Sequence, residues 1–290
     1  MNYALMAFRF KTQLSSWVAP TKTAQKLAEN FLTPKRFAIK DWEHKAEQQG
    51  QRFQLTPDIS AIRWLGKNEE RVKESVENSV VGDNKQILLV HGWESRGTQL
   101  FSLIEGLITQ GYSVVAIDMP GHGHSKGDTS NAYVFSQTVI LAQQVLGHFH
   151  TIIGHSMGAG ATSIAVGKGV STDKMILIAG PSSIENVLRH FTRFVGLNAK
   201  TSDKFISAIG RIVGIAASEM DSTRLLQQCD VPTLLIHDEA DIEVPYSESK
   251  RLEQVINNTQ MLSTQGYGHR KILKSEQVIK AINDFVTTAH

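Results

Sequence analysis

The chain has 290 residues, of which 41% are apolar and 20% are charged, and its 30 Lys and Arg against 28 Asp and Glu leave a formal net charge of +2. This composition is that of an ordinary globular protein, and the length suits one large α/β domain or two smaller ones. A charge balance so close to zero lacks the general attraction to phosphate backbones that nucleic-acid binding needs, so we expect no nucleic-acid partner.

The single cysteine and the hydropathy pattern bear on the cellular compartment. Cys229 excludes an internal disulfide and cannot hold a metal by itself, and we expect it to be a buried structural thiol. The apolar run from Tyr3 to Phe8 is too short for a signal-peptide core, and no window approaches the ~20 apolar residues of a membrane span. We therefore expect a cytoplasmic protein without stable membrane insertion.

Residues 1–50 predict a helical N-terminal extension. From Pro20 to Leu32, apolar residues recur at the spacing of one helix face. We expect this helix to dock on the main domain. Together with Phe8, Leu14 and Trp17, the extension could instead lie on a membrane surface, although the basic face that such binding needs is thin.

The remainder of the chain predicts a mostly parallel sheet. Residues 51–55 and 59–65 alternate in polarity like an antiparallel pair of half-buried strands. Later apolar runs do not alternate, which is typical of strands buried on both faces and joined by helical crossovers. In such sheets, ligands bind beyond the carboxyl ends of the strands. The predicted parallel strands are Ile87–Val90, Val114–Ile117, Ile152–Ile153, Met175–Ala179 and Leu234–Ile236.

The interval between the fourth and fifth of these runs is too long for a plain crossover. Residues 182–228 contain two amphipathic helical patterns, and Ser182 with Glu185 predicts a capping box at the start of the first. We interpret this segment as a helical cap over the strand ends. The core is then divided into a first part, residues 51–181, and a second part, residues 229–290.

The run Gly154-His155-Ser156-Met157-Gly158 follows the third of these strands and precedes a helical segment. A nucleophilic serine must stand clear of its sheet on a sharp strand-to-helix turn, and flanking glycines leave room for that backbone. The order of strand, turn and helix therefore predicts that Ser156 is a nucleophile.

An acyl-transfer site also needs backbone N–H groups that bind the developing oxyanion. The N–H of Met157, directly after the serine, is one candidate, and Trp93, in the run His91-Gly92-Trp93 after the first parallel strand, is the other. The alternative for the second run is a tight turn with a buried aromatic residue.

A base and an acid are required to activate a serine hydroxyl. The segment after the fifth strand carries acids at Asp238, Glu239, Asp241 and Glu243, and the run Gly268-His269 near the end supplies a base. Serine, then acid, then histidine is the order expected when triad members follow successive strands of this kind of sheet.

In these motifs, and in the turn from Asp118 to Ser125, the chain resembles the α/β-hydrolase family from about residue 51 to its end. In that family the acid usually lies three residues beyond a glycine whose place Asp238 takes here, so the resemblance implies Asp241 as the acid and leaves Asp238 as the contender. The chain also resembles bacterial members with a helical N-terminal extension and a His-Gly-Trp-Glu segment, for which the resemblance implies serine hydrolase chemistry and no particular substrate.

Several other residues have competing interpretations. A metal site could be imagined from His122 and His124 with Asp118 and Asp128, but we interpret these residues as a structural turn. We interpret His155 as packing around the nucleophile turn. Glu94 and Arg96 could contact a polar substrate group or pair with each other.

The sequence thus predicts a cytoplasmic serine hydrolase of the α/β-hydrolase fold, acting on a small-molecule ester or thioester with a small to medium apolar acyl group. The catalytic residues would be Ser156, His269 and Asp241, with the oxyanion bound by Trp93 and Met157. No cofactor and no metal are expected. The alternatives are an amide, lactone or carbon–carbon bond hydrolase, or a non-catalytic ligand-binding protein with the same fold. The oligomeric state stays open.

Overall fold

The computed structural model describes residues 3–67 and 86–288. Eight strands form one sheet in the order β1-β2-β4-β3-β5-β6-β7-β8. Strand β2 pairs antiparallel with both β1 and β4, and all the other pairings are parallel. The strands are β1 (Gln51–Thr56), β2 (Ile59–Trp64), β3 (Gln86–Val90), β4 (Ser113–Ile117), β5 (Phe149–His155), β6 (Thr172–Ile178), β7 (Thr233–Asp238) and β8 (Thr259–Thr264).

Helices lie between and beside these strands in the described residues. Short 3-10 helices occupy Gly97–Leu103, Ala217–Met220 and Ile272–Lys274. The α-helices are α1 (Tyr3–Val18), α2 (Pro20–Phe31), α3 (Asp41–Gln48), α4 (Ile104–Thr109), α5 (Ala132–Leu146), α6 (Met157–Gly167), α7 (Ile184–Phe194), α8 (Ala199–Val213), α9 (Ser222–Leu225), α10 (Ser247–Glu253), α11 (Gly268–Lys271) and α12 (Glu276–Thr287).

The sheet is covered by helices on both faces, as the non-alternating apolar runs predicted. Along β3, Leu88 and Val90 pack into a cluster that includes α5 and α6. Ile87 and Leu89 point the other way, into a cluster that includes α4 and α12. Successive strand residues point to opposite faces, so a central strand with two covered faces must be apolar throughout. The predicted mostly parallel α/β sheet is confirmed.

The helices that precede the sheet pack against those between β6 and β7. The apolar face of α2 meets α8, with Leu27 and Ala28 in one cluster with Phe205 and Ile209. The predicted helix over residues 20–32 therefore docks mainly on the helices that follow β6, although Ala132 and Ile164 of the sheet-covering helices belong to the same cluster.

Three local predictions were wrong. Ser182 does not cap α7, because the helix begins one residue later, after Ser183, and no side chain caps it. The Ser182 hydroxyl instead donates to the buried carboxylate of Glu248 over 2.6 Å. Strand β6 ends at Ile178, since Ala179 turns into the left-handed region at φ 50°. Strand β2 ends at Trp64, before Leu65.

No helix among residues 3–67 and 86–288 has the length and hydropathy needed to cross a bilayer.

Candidate active site

The turn between β5 and α6 holds Ser156 in a rare backbone conformation. Its φ of 55° and ψ of −122° lie where non-glycine residues are strained. A Cβ added to Gly154 would lie 2.6 Å from Cα of Ala159, and one added to Gly158 would lie 2.2 Å from the carbonyl oxygen of Val90. Both glycines are therefore required by close approach of the backbone, and the turn lifts the serine off the end of the sheet.

The structure brings Ser156, His269 and Asp241 together from three separate strand ends. The Ser156 hydroxyl donates to Nε2 of His269 over 2.8 Å. Nδ1 of His269 donates to Oδ2 of Asp241 over 2.7 Å. His269 and Asp241 are both buried. The three side chains form one continuous hydrogen-bonded chain, which is the arrangement that a general base needs in order to activate a serine.

The carboxylate of Asp241 is fixed on both oxygens. Oδ1 accepts the backbone N–H groups of Glu243 and Val244, at 2.8 and 3.0 Å. Oδ2 accepts from Nδ1 of His269 and also lies 3.3 Å from Nε2 of His237. Burial by itself would raise the pKa of Asp241, but the hydrogen bonds from His237 and His269 outweigh it and hold the pKa well below its usual range. The carboxylate stays ionised beside the imidazole.

His237 was not singled out from the sequence. Its ring is fully buried, the Ser249 hydroxyl donates to Nδ1 over 2.6 Å, and Nε2 also donates to the carbonyl of Val244 over 2.9 Å. Asp241 lies four residues after His237, and this spacing does not by itself indicate a contact because the chain leaves the strand between them.

The other acids of this segment do not reach His269. Asp238 is buried and accepts from Thr264 Oγ1 at 2.8 Å and from the N–H of Tyr267 at 3.0 Å. Burial would raise the pKa of Asp238, but these hydrogen bonds lower it overall. Asp238 thus ties the end of β7 to the loop that carries the histidine. Glu239 bonds Gln265 and Glu243 pairs with Arg270, both at the surface.

His155 has a more specific contact than packing. Its Nε2 donates to the backbone carbonyl of His269 over 2.9 Å. Burial lowers the pKa of His155 to about 3, so the ring is neutral, and its Nδ1 has no partner among the described residues. The residue before the serine therefore fixes the backbone of the histidine instead of taking part as a base.

The segment after β3 passes directly over the serine. A Cβ on Gly92 would lie 3.1 Å from Cβ of Ser156. The Gly92 N–H is already bound to Oε1 of Gln99 at 2.8 Å, and the Gly92 carbonyl accepts from Nδ1 of His91 at 2.7 Å. In a trans peptide the N–H points away from the carbonyl. His91 therefore sets the direction of the Trp93 N–H.

The N–H groups of Trp93 and Met157 are both available. Neither donates to an acceptor within residues 3–67 and 86–288. Met157 is also the first residue of α6, where the helix dipole favours negative charge. Two free donors beside the serine can bind an oxyanion.

Aromatic rings surround the Trp93 side chain. Phe31 of α2 is stacked on it, with ring centroids 6.3 Å apart, and His122 meets it edge-on at 5.0 Å. Phe31 in turn contacts Phe191 of α7 at 4.8 Å and Phe205 of α8 at 5.8 Å. The helices before the sheet and the helices after β6 thus meet in one group of contacting rings, the aromatic roof, defined by Phe31, Trp93, Phe191 and Phe205. Through Trp93, the roof adjoins Gly92, which lies against the serine.

The turn from Asp118 to Ser125 is held by hydrogen bonds within the fold. Asp118 accepts from the N–H groups of Gly97 and His124, at 2.7 and 3.0 Å, and from Arg52 at 2.9 Å. Nε2 of His124 pairs with Glu47 of α3. In the described part of the chain, no three His, Cys, Asp or Glu side chains are grouped so as to hold a metal ion.

The structure excludes one of the two alternatives for Glu94 and Arg96, and it corrects the expected burial of Cys229. Glu94 and Arg96 do not pair with each other, because Glu94 accepts the N–H of Lys35 at 3.1 Å and Arg96 pairs with the buried Glu43 at 3.4 Å. Both side chains thereby attach the N-terminal segment to the loop after β3. Cys229 is half-buried, and burial raises the pKa of its thiol, which makes it a poor nucleophile.

Comparisons with known proteins agree with this architecture. The chain is 27% identical over 315 residues to "Lysophosphatidylserine lipase ABHD12" of Danio rerio, with 94% of this chain and 79% of that protein covered. A stretch of 51 residues, 18% of this chain and 19% of the relative, is 37% identical to the pimeloyl-[acyl-carrier protein] methyl ester esterase of Stenotrophomonas maltophilia. The Pyrococcus furiosus esterase Pf2001 shares the fold with a TM-score of 0.60 at 16% identity, over 88% of this chain and 95% of that one.

The sequence model of the alpha/beta hydrolase family matches residues 87–252. This region is more than half of the chain and runs from β3, through the serine turn and the helices after β6, into α10. The match, the sheet order and the solved-structure neighbour agree with each other, and we conclude that the chain belongs to the α/β hydrolase family.

Proposed function

We propose that this hydrolase is a serine esterase or thioesterase that cleaves a small to medium apolar acyl compound through an acyl-enzyme. The observation that carries the proposal is the continuous hydrogen-bonded chain from Ser156 through His269 to Asp241, with two free N–H donors beside it. A nucleophile, a base, an orienting acid and two oxyanion donors are the groups that acyl transfer requires.

In the first half-reaction, Ser156 Oγ attacks the substrate carbonyl carbon while its proton passes to Nε2 of His269. The carbonyl oxygen becomes an oxyanion that accepts from the N–H groups of Trp93 and Met157, each worth on the order of 3 kcal/mol in the transition state. His269 then gives its proton to the leaving alcohol or thiol. The bond to the leaving group breaks, and the acyl group stays on Ser156.

In the second half-reaction, water replaces the leaving group. His269 takes a proton from the water, the hydroxide attacks the acyl carbon, and the Ser156 oxygen leaves with that proton. Asp241 holds the Nδ1 proton throughout and stabilises the imidazolium, which is possible because its pKa is depressed by its hydrogen-bond donors.

The aromatic roof supports an apolar acyl group. Phe31 stacks on Trp93, whose own N–H is one of the proposed oxyanion donors, and Phe191 and Phe205 contact Phe31 from behind. An apolar acyl chain on Ser156 would gain free energy by leaving water for a site lined by such rings. A polar chain would instead lose its hydrogen bonds to water. The names of the two curated relatives, a lipase and a methyl ester esterase, favour an ester over an amide.

The test is pre-steady-state hydrolysis of p-nitrophenyl esters from acetate to decanoate, with matched S-acyl thioesters. We expect a burst of about one product per chain followed by slower turnover. Ser156→Ala should abolish both phases. Ser163→Ala removes a serine of α6, the helix that follows Ser156. Its hydroxyl donates to the carbonyl of Ala159, and the variant should retain full activity. Undiminished turnover by Ser156→Ala would refute the proposal.

A further inference from the structure

Helix α1 presents an apolar stripe to solvent. The stripe consists of Tyr3, Met6, Phe10, Leu14 and Trp17, whose exposed fractions run from 52% to 79%. At 100° per residue these five positions span about 80° of the helix circumference, so they form one continuous line of side chains. Soluble proteins seldom expose a contiguous line of large apolar residues, and such a line marks an interaction surface.

The opposite side of α1 attaches the helix to the fold through small polar residues. Thr12 and Ser16 are buried. The Ser16 carbonyl accepts from Thr201 Oγ1 at 3.0 Å and from Asn198 Nδ2 at 3.2 Å, both at the start of α8. Turning the helix to bury the stripe would break these bonds and leave buried polar groups unpaired, at a cost that opposes the rotation. The orientation with the apolar stripe outward is therefore built in.

The charged residues of α1 itself have one sign. Arg9 and Lys11 are exposed and lie about 100° to either side of the centre of the stripe. The segment from Tyr3 to Val18 contains no Asp or Glu. A stripe of aromatic and aliphatic side chains flanked by cations on both edges fits the boundary between acyl chains and anionic headgroups, where the rings enter the apolar layer and the cations meet the headgroups.

We propose that α1 docks this hydrolase on the surface of an anionic lipid bilayer. The helix lies parallel to the membrane plane, with the stripe in the interfacial layer and the rest of the molecule outside it. The attachment through Ser16, Asn198 and Thr201 fixes the helices after β6, which carry part of the aromatic roof, beside that surface. The surface is distinct from the proposed catalytic residues and does not depend on their activity.

A second copy of the chain is the competing occupant. Arg9 and Lys11 flank Phe10 near the middle of α1, so two stripes packed across a twofold axis at that point would bring four cations together with no acid from either helix to balance them. The charge pattern thus favours an anionic bilayer over a dimer.

The experiment is co-sedimentation of the full chain with vesicles of phosphatidylcholine containing roughly 30% phosphatidylserine, and with phosphatidylcholine vesicles alone. Ser156→Ala is the background in all arms, so that hydrolysis of the vesicle lipids does not alter the surface. We expect binding to the anionic vesicles. The double variant Phe10→Ser/Trp17→Ser should bind at least about ten-fold more weakly, and Arg9→Gln/Lys11→Gln should lose about ten-fold or more of the preference for the anionic vesicles.

Val145→Ser is the matched control, because it removes an exposed apolar side chain from α5, and it should bind like its parent. Circular dichroism and thermal melting of each variant establish that the fold is retained. Absence of vesicle binding by the parent, or equal binding by the Phe10→Ser/Trp17→Ser variant, would overturn the proposal. So would a parent that dimerises without vesicles while this variant is monomeric, because the stripe would then be a self-association surface.

Discussion

Asp238 and Asp241 lie three residues apart at the end of β7, and their contacts separate them. Asp241 accepts from His269, while Asp238 accepts from Thr264 and the Tyr267 backbone. In the proposed mechanism one carboxylate orients the base and the other holds the loop on which the base is carried.

This difference predicts different effects of the same substitution. Asp241→Asn loses the negative charge that stabilises the imidazolium, and its amide N–H favours the wrong tautomer of His269, so kcat should fall by about 10⁴-fold with the fold retained. Asp238→Asn should lower the free energy of unfolding by about 1–3 kcal/mol through weakened hydrogen bonds and change kcat far less. Steady-state kinetics and urea unfolding of both variants distinguish the two. An equal loss of kcat in a folded Asp238→Asn variant would make Asp238 the acid.

His91 is predicted to act through the peptide that carries the Trp93 N–H. His91→Ala removes the donor to the Gly92 carbonyl, and the freed peptide should bind the oxyanion less well, lowering kcat by about 10- to 100-fold with little change in KM. His91→Asn places an amide N–H where Nδ1 was and should recover most of that loss. If both variants show the same kcat, or if KM alone changes, the positioning role is wrong.

The sequence carries part of this site and not the rest. The serine turn and the histidine loop are local motifs, so Ser156 and His269 could be picked out, and the structure brings them together. The contacts of His237 and His91 could not be predicted, because each depends on how a loop folds back onto its own strand end. His155 was placed correctly at the turn, but its bond to the His269 backbone joins segments 114 residues apart.

At the scale of elements, the parallel strands were predictable because burial on both faces leaves an apolar run. Strand β8 was not predicted, since Thr259–Thr264 is an edge strand of mostly partly buried residues and its sequence lacks such a run. Residues 1–50 were predicted to be helical, but no bounds could be given for α1. Surface helices are usually recognised by an apolar face toward the core and a polar face toward solvent. In α1, the polar residues Thr12 and Ser16 face the core and the apolar stripe faces solvent, so the pattern is reversed.

The contact between α2 and the helices after β6 leads to a prediction about acyl specificity. Phe31→Leu reduces the ring that is stacked on Trp93, and the added space should shift the optimum of kcat/KM toward longer acyl chains by about two to four carbons, with a several-fold loss on the shortest ester. The measurement is kcat/KM across the p-nitrophenyl ester series.

Phe101→Leu is the control for that series. Phe101 is also partly buried but packs against the opposite face of the sheet, so its variant should keep the acyl preference of the parent. A Phe31→Leu profile that falls in parallel for all chain lengths would place Phe31 outside the acyl site.

At the scale of the whole molecule, buried neutral histidines make stability depend on pH. Burial lowers the pKa of His122 and of His155 to about 3 from an ordinary 6.5. Between these values the unfolded chain binds protons that the folded chain does not, so the free energy of unfolding falls as the pH falls below 6.5. Each histidine should contribute about 1 kcal/mol per pH unit. The depressed pKa of Asp241 adds a further loss at still lower pH.

Urea unfolding at several pH values between 7 and about 4.5 measures this slope. His122→Asn keeps a donor for the Pro120 carbonyl but has no titrating ring. The slope of the free energy of unfolding against pH should therefore fall by the amount that corresponds to about one proton taken up on unfolding. Identical slopes for the parent and His122→Asn would contradict the prediction.

The most direct test of the proposed serine hydrolase chemistry is intact mass after treatment with a fluorophosphonate, which reacts with activated serines. We predict one adduct per chain, mapped to Ser156 by peptide digestion, absent from Ser156→Ala and formed far more slowly in His269→Ala. A folded parent that acquires no adduct, or a Ser156→Ala variant labelled as fast as the parent, would contradict the assignment of Ser156 as the nucleophile.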